Sequence, residues 1–211
     1  RHPGSLYRVF VRLGYRKKVE STKKKSRHLG HYDTPTELGK KWQMDVKYVP
    51  MACYAGTDGE KFYQYTMIEE ASRERFLYAY RENSSYSTVD FVQRAIIYFG
   101  YAPDIIQTDN GGEFTHTQKT NRMHPLDILC GRLHIVHKTI RPKTPWHNGK
   151  VERSHRNDQE RFYNYLKFYS YEDLQIQMKQ YFQRANHIPM AVLNWKSPLQ
   201  KRRELEAARL F

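Results

Sequence analysis

Three carboxylates stand at points in the sequence where a carboxylate can do chemistry. Asp45 lies in the middle of the alternating segment WQMDVKYVP, Asp109 follows the apolar stretch PDIIQT, and Glu152 falls in the first turn of a predicted helix. If the fold brings them together they repel one another, and each pKa rises unless a cation lies between them. Carboxylate ligands that leave open positions suit Mg²⁺ or Mn²⁺. Two such ions, about 4 Å apart, can activate a water and stabilise the leaving oxygen of a phosphodiester.

Each of these carboxylates also has a plainer interpretation when it is taken alone. An aspartate in the middle of a strand usually faces solvent, and an aspartate before Asn-Gly, as at Asp109, usually forms a turn. A glutamate in the first turn of a helix, as at Glu152, complements the helix dipole. The local sequence leaves both interpretations open.

The first half of the chain predicts strands that could carry Asp45. In residues 42–50, Trp42, Met44, Val46 and Tyr48 alternate with polar residues, which is typical of a strand with one buried face. The segments KFYQYTMIEEAS and RFLYAYREN follow after short turns and predict two more strands. Three strands joined in this way favour an antiparallel meander.

The second half predicts helices that alternate with two further strands. Residues 85–100 have helical periodicity and end at Gly100, and they are followed by the strand PDIIQTD, a short helix over 124–133 and the strand HIVHKTI. A long helix is predicted from 148 to 169, and another from 171 to about 185. The order β-β-β-α-β-α-β-α-α predicts an α/β fold, a mixed five-stranded sheet flanked by helices. In it the first and fourth strands can be neighbours.

The balance of charge favours a nucleic-acid partner. The chain has 211 residues, with 36 Lys and Arg against 22 Asp and Glu, and a formal charge of +14. Residues 1–41 contribute 12 basic and 3 acidic residues, whereas residues 42–211 contribute 24 and 19. A basic arm on a milder globular body is a common footprint of nucleic-acid binding, although a solvated basic surface without a partner has the same composition.

Other features of the composition exclude several classes. No apolar run has the length needed to cross a bilayer, and the first residues do not resemble a signal peptide, so no membrane partner is expected. Cys53 and Cys130 lie far apart without a CxxC motif, which indicates a reducing, intracellular setting. The three histidines of residues 1–41 have no cysteine beside them, so a zinc finger is not supported.

The start of the chain predicts a short basic helical arm. Residues 4–14 have helical spacing of apolar residues, with Ser5 as a possible cap and Gly14 as the end. A lysine-rich linker follows. The segment is compatible with the last helix of a helix-turn-helix and equally with a frayed helix that docks on the core.

Three motifs together resemble a known family. WQMDVKYVP, IIQTDNGGEFTH and RPKTPWHNGKVERSHRNDQERFY occur in this order, over about residues 35 to 200. They are similar to the catalytic core of insertion-sequence transposases of the retroviral-integrase type, and NHIPMAVLNWKSPLQ is similar to that family's tail. The resemblance implies an RNase H-like fold and a DDE triad, here Asp45, Asp109 and Glu152, which would hold two Mg²⁺ or Mn²⁺ ions.

One departure from the family pattern leaves rivals for two members of the triad. The 42 residues between Asp109 and Glu152 make a longer interval than is usual for the family. The extra length is expected in THTQKTNRMHPLDILCG. Glu160 is a weaker rival for the third ligand, and Glu113 is a weaker rival to Asp109.

The predicted helix after residue 148 carries the candidate DNA contacts. From Lys150 to Arg161 its one apolar residue is Val151, and Lys150, Arg153 and Arg156 are candidates to contact phosphates. A solvated helix end would look the same. Before this helix, Lys143 is a further candidate, and Trp146 and His147 could stack on a base. Trp146 could equally be a core anchor.

The resemblance implies a DNA transposase that cleaves the ends of its element and joins them to target DNA. It also implies a dimer or higher assembly on DNA in the bacterial cytosol, with no small-molecule substrate. A nuclease of the same fold and a non-catalytic DNA-binding protein derived from a transposase stay open. The expected organisation is an arm (1–34), a catalytic core (35–185) and a tail (186–211).

Overall fold

A mixed sheet of five strands organises the chain. The computed structural model describes residues 3–15, 34–56, 59–116, 118, 120–140 and 148–208. The strands are β1 (Trp42–Tyr48), β2 (Tyr63–Glu69), β3 (Arg75–Tyr80), β4 (Ile105–Thr108) and β5 (Val136–Thr139). Their order across the sheet is β3-β2-β1-β4-β5. The pairs β1/β2 and β2/β3 are antiparallel, whereas β1/β4 and β4/β5 are parallel, which confirms both the meander and the contact between the first and fourth strands.

Six helices accompany these strands in the described part of the chain. They are α1 (Pro3–Arg12), α2 (Ser85–Phe99), α3 (Pro125–Arg132), α4 (Gly149–Asp158), α5 (Tyr171–Ala185) and α6 (Pro198–Ala207). Two short 3₁₀ turns, Met51–Cys53 and Ala191–Leu193, complete the regular structure together with a π-helical turn described below. Within the described ranges, no helix has the length and apolarity needed to cross a membrane.

Helix α2 forms where the periodicity of residues 85–100 predicts it. The Ser84 side chain accepts the amide of Ser87 at the start, and Gly100, with φ 80°, ends the helix in the left-handed conformation. Its buried face packs on the sheet, with the rings of Phe99 and Trp42 4.6 Å apart.

The second face of β1 is covered as well. Gln43 is as fully buried as Trp42 and Met44, and its side-chain oxygen accepts the amide of Val151 in α4. Since α4 lies on this polar face, the face that carries Asp45 is not a solvent face.

The long helix predicted over 148–169 is shorter and irregular in the structure. After α4, residues Gln159–Tyr163 form a π-helical turn, in which the amide of Asn164 bonds to the carbonyl of Gln159. A π turn accommodates one extra residue in the helix. This change of phase lets Phe162 and Tyr163 both enter the core.

A buried ionic network lies beneath the end of α4. Asp158 is fully buried and accepts hydrogen bonds from Arg75 (2.9 Å), Gln64 (2.8 Å) and Tyr181 (2.8 Å). The partners lie on β2, β3 and α5, so this carboxylate ties α4 to the sheet and to the next helix. Near the C-terminus, Arg202 of α6 similarly pairs with the buried Glu74.

The chain divides into two compact units, Arg1–Tyr32 and Asp33–Phe211. In the first unit, α1 begins at Pro3, so the predicted cap at Ser5 is wrong, while Gly14 (φ 74°) follows the helix as expected. The histidines of the basic arm lie outside the described residues. The division into arm, core and tail at residues 34 and 185 stays a prediction.

Candidate active site at the β1–β4 edge

Strand register brings the two aspartates together. β1 and β4 pair in parallel with Trp42 opposite Ile106 and Gln43 opposite Gln107. When this register is continued along both strands, Asp109 lies level with Asp45. Because β4 ends at Thr108, Asp109 begins the loop, whereas Asp45 is still held within the β1/β2 ladder opposite Thr66.

Backbone amides orient both aspartate side chains. The Oδ1 of Asp45 accepts the amide of Val46 (2.9 Å), and the Oδ1 of Asp109 accepts the amide of Gly111 (2.9 Å). The second contact is the turn that the plainer interpretation of Asp109 predicted. It leaves the other carboxylate oxygen of Asp109 available to a ligand, so the turn and a catalytic role are compatible.

A chain of three side chains supports the backbone at Asp109. The Thr108 hydroxyl donates to the Asp109 carbonyl (2.8 Å) and lies 2.9 Å from Nε2 of His137 on β5. Nδ1 of His137 lies 2.6 Å from Oδ1 of Asp127, on α3. No pattern in the sequence indicated this series of hydrogen-bonded side chains, because Asp127 and His137 meet only through the packing of α3 on β5.

Glu152 approaches the aspartates from α4 and is exposed. Burial raises the pKa of Asp45, and the negative charges of Asp109, Glu152 and Glu113 add to this shift. The pKa reaches about 7, although the hydrogen bond from the Val46 amide opposes the rise. Strand register therefore puts Asp109 level with Asp45, and Glu152 and Glu113 lie near enough for their charges to act on Asp45.

The chemistry of these donors fits a divalent cation. Hard carboxylate oxygens that mutually repel are the ligands that Mg²⁺ and Mn²⁺ neutralise. In the described ranges, no three His, Cys, Asp or Glu side chains are already close enough together to hold a metal ion. The donor set fits the ion in kind, and its side chains must close further to bind one.

The Glu113 carboxylate lies against Gly111. A Cβ built on Gly111 would lie 2.7 Å from the carboxylate carbon of Glu113. The glycine therefore makes room for the chain's own Glu113 carboxylate.

Comparison with known proteins decides the family. A sequence model described as "Integrase core domain" matches residues 35–145, just over half of the chain. This chain belongs to the integrase core domain family. A second model with the same description matches residues 133–198, so the two matches together span the sheet, α4 and α5 of the integrase core. The resemblance to DDE-type integrases and transposases is confirmed.

A viral relative shares part of this integrase core. The protein named "Putative integrase ORF3" of Spiroplasma virus SpV1-C74 is 30% identical over 141 residues, which are 62% of this chain and 36% of that protein. The chain thus spans about a third of the length of that relative.

Solved structures share the fold. The catalytic core domain of BIV integrase has a TM-score of 0.60 and 20% identity, over 82% of this chain and 99% of that one. The HTLV-2 integrase catalytic core domain in complex with magnesium (trimeric form) has a TM-score of 0.57 and 18% identity, over 78% of this chain and 96% of that one. A chain of the simian T-cell lymphotropic virus intasome in complex with PP2A regulatory subunit B56 gamma has a TM-score of 0.62 and 18% identity, over 83% of this chain and 59% of that one. The predicted RNase H-like class is confirmed.

The predicted DNA contacts of the integrase core divide into three groups. Arg153 and Arg156 are exposed and line a cleft with Glu152 and Glu160. Lys150 is instead partly buried, and its ammonium pairs with the fully buried Glu70. Burial lowers the pKa of Lys150 to about 8, although Glu70 opposes that shift. Lys143, Trp146 and His147 lie outside the described residues, so their predicted contacts stay predictions.

Sequence reasoning also missed His155, one helical turn after Glu152. Its Nδ1 lies 3.5 Å from Oδ2 of Asp45, and its Nε2 lies 3.1 Å from the Thr66 hydroxyl. Burial lowers its pKa to about 4, so the ring is neutral at pH 7. The i, i+3 spacing from Glu152 was the available signal, because it puts both side chains on one face of α4.

Proposed function

We propose that this integrase core is the catalytic core of a DNA transposase. The observation that carries the proposal is the parallel register of β1 and β4, which puts Asp109 level with Asp45, while α4, which carries Glu152, packs against β1. We assign the triad to these three residues and a two-ion Mg²⁺ or Mn²⁺ site to their carboxylates. Bound ions would neutralise the acids and stabilise charge on the attacking and leaving oxygens of a phosphodiester.

The proposed chemistry has two displacements at phosphorus. First, water attacks the phosphodiester at an element end, the bond to the 3′ oxygen breaks, and a 3′-hydroxyl is released. Next, that hydroxyl attacks a phosphodiester of target DNA, a new bond to phosphorus forms, and the 3′ oxygen of the target strand leaves. No covalent bond to the enzyme is formed, so the chain's contribution is position and electrostatics.

Particular residues carry these tasks. The sheet holds Asp45 and Asp109 at fixed positions, while Glu152 enters from the exposed side of α4. Arg153 and Arg156 flank Glu152 on the surface, where they can contact phosphates. The proposal includes assembly on DNA as a dimer or larger complex, since two element ends must be brought together. A cytosolic location stays a prediction.

Joining of labelled element ends to target DNA in Mg²⁺ or Mn²⁺ tests the proposal. Glu152→Gln should abolish both cleavage and joining, and Glu160→Gln, in the same cleft, is the matched control. Joining that is abolished in Glu160→Gln and kept in Glu152→Gln would reject the assigned triad. Cleavage without joining would indicate a nuclease, and binding without chemistry would indicate a DNA-binding protein.

A further inference from the structure

The first turn of α4, which carries Glu152, is not secured by its own cap. Asn148 stands at the cap position, yet its side chain accepts no amide of the helix. Its Oδ1 is buried and has no hydrogen-bond partner among the described residues. Helix starts leave several amides that need acceptors, so another group must hold this turn.

That group comes from the sheet. The side-chain oxygen of Gln43 on β1 accepts the amide of Val151, at 3.3 Å. The Nε2 of Gln43 in turn donates to Oε1 of Glu70, at 2.9 Å, which fixes the orientation of the amide group. Gln43 therefore bridges a fully buried carboxylate and the residue next to Glu152.

Glu70 also reaches α4 directly. Its side chain is completely buried, and its Oε2 pairs with the ammonium of Lys150, on the other side of Val151. Lys41 lies 3.5 Å from the other carboxylate oxygen, so the buried charge is balanced from two directions. Buried charges of this kind are tolerated when they are paired and hydrogen-bonded, and breaking one pair leaves the rest uncompensated.

We propose that Glu70, Gln43 and Lys150 form a positioning cluster that sets the place of Glu152 over the sheet. The inference rests on the proposed function, since it gives Lys150 a role in placing a catalytic group instead of a phosphate contact. Besides Glu70, the Lys150 ammonium donates to Thr34 (3.2 Å), so its hydrogen bonds are made within the chain. Arg153 and Arg156, by contrast, are exposed on α4.

The two roles of Lys150 predict different kinetics. If Lys150 binds a phosphate, Lys150→Gln would weaken DNA binding and reduce the salt dependence of binding by about one unit. If Lys150 positions Glu152, the same variant would lower kcat by roughly 10- to 100-fold, with KM and DNA affinity unchanged, because small misplacements of a catalytic group have effects of that size. Lys150→Arg, which keeps the charge and can still reach Glu70, should restore most of the rate.

Glu70 supplies the decisive partner variant. Since it is fully buried, it cannot contact DNA, so Glu70→Gln should reproduce the lower kcat of Lys150→Gln without any change in DNA binding. The double variant should be no slower than either single variant, because both changes remove the same ion pair. Lys179→Gln, at an exposed lysine on α5, is the matched control for removal of one positive charge.

Amide hydrogen exchange of α4 tests the cluster independently of activity. Exchange over residues 149–155 should accelerate in Lys150→Gln and Glu70→Gln, while exchange in β1 and β2 and in the Lys179→Gln protein matches wild type. Unchanged exchange in α4 of both cluster variants would overturn the inference, as would DNA binding weakened in Lys150→Gln to the extent seen in Arg156→Gln. If the exchange accelerates as expected but the wild-type protein cleaves no DNA, the cluster is supported and the proposed transposase is rejected.

Discussion

The aspartates and the glutamate of the candidate site are held by different means. Asp45 and Asp109 are placed by neighbouring strands, and each has one carboxylate oxygen bonded to a backbone amide. Glu152 is exposed on a helix whose start depends on side chains, namely Gln43, Lys150 and the buried Glu70. The sheet half of the site, Asp45 and Asp109, is therefore preformed. The helix half, Glu152 on α4, can be displaced by changing a single side-chain contact.

This difference suggests which carboxylates stay in place and which one moves when the site closes around a metal ion. The sheet half concentrates negative charge that repels, and the helix half brings in the third acid on an element that can adjust. The buried Asp158 network ties the far end of α4 to β2, β3 and α5.

The largest expected effects are the loss of activity in Glu152→Gln, given above, and a comparable loss at Asp109. Asp109→Asn should reduce cleavage and joining by about 10³-fold or more, since a ligand that stabilises charge in the transition state is worth several kcal/mol. The same change removes a negative charge beside Asp45, so the melting temperature should stay the same or rise. Activity and thermal unfolding measured on one preparation check both statements, and normal activity would remove Asp109 from the triad.

Stability should depend on pH through Asp45. Its folded pKa is about 7, against an ordinary value of 3.8, so the folded state binds more protons than the unfolded state between these values. Below about pH 4, Asp45 therefore does not lower the free energy of unfolding. As the pH rises through 7, Asp45 lowers that free energy by an amount that grows to at most a few kcal/mol.

Urea unfolding at pH 5 and pH 8 measures this effect. The decrease in stability between the two pH values should be smaller in Asp45→Asn than in wild type, and Mg²⁺ or Mn²⁺ should stabilise only the wild type at pH 8. Identical pH profiles would show that Asp45 does not carry the repulsion.

The support beneath Asp109 should have a smaller effect than Asp109 itself. His137→Gln removes the link between Asp127 and the Thr108 hydroxyl, and joining should fall by about tenfold, a typical cost for removing a supporting hydrogen bond. DNA affinity should not change. His187→Gln, at an exposed histidine after α5, is the control. A wild-type rate in His137→Gln would mean that β4 alone fixes Asp109.

The smallest effect is expected on the surface of the helix half. Arg156→Gln should weaken DNA binding a few-fold and reduce the slope of log affinity against log salt by about one unit. Titrations at several salt concentrations measure both quantities. If instead the rate of joining falls and the salt slope is unchanged, Arg156 acts on the position of Glu152 and not on DNA phosphates. The surface of α4 would then take part in holding Glu152 in place.

Local sequence patterns determined much of the fold. Alternation predicted β1, periodicity and the Gly100 stop predicted α2, and the order of elements predicted that the first and fourth strands can pair. Patterns of this kind depend on neighbours in the chain, so they can be read from a short window. The three carboxylates were found in the same way, from motifs of a few residues each.

Only the tertiary structure decided how side chains are used. Lys150 meets Glu70 across 80 residues, and Asp158 meets Gln64 across 94, so no local pattern could distinguish these inward contacts from a solvated helix end. The π-helical turn after α4 likewise follows from seating Phe162 and Tyr163 in a core built by other elements. The sequence by itself determined which acids are present and on which elements. Strand register and the packing of α4 decided that they come near one another, because those depend on contacts between residues far apart in the chain.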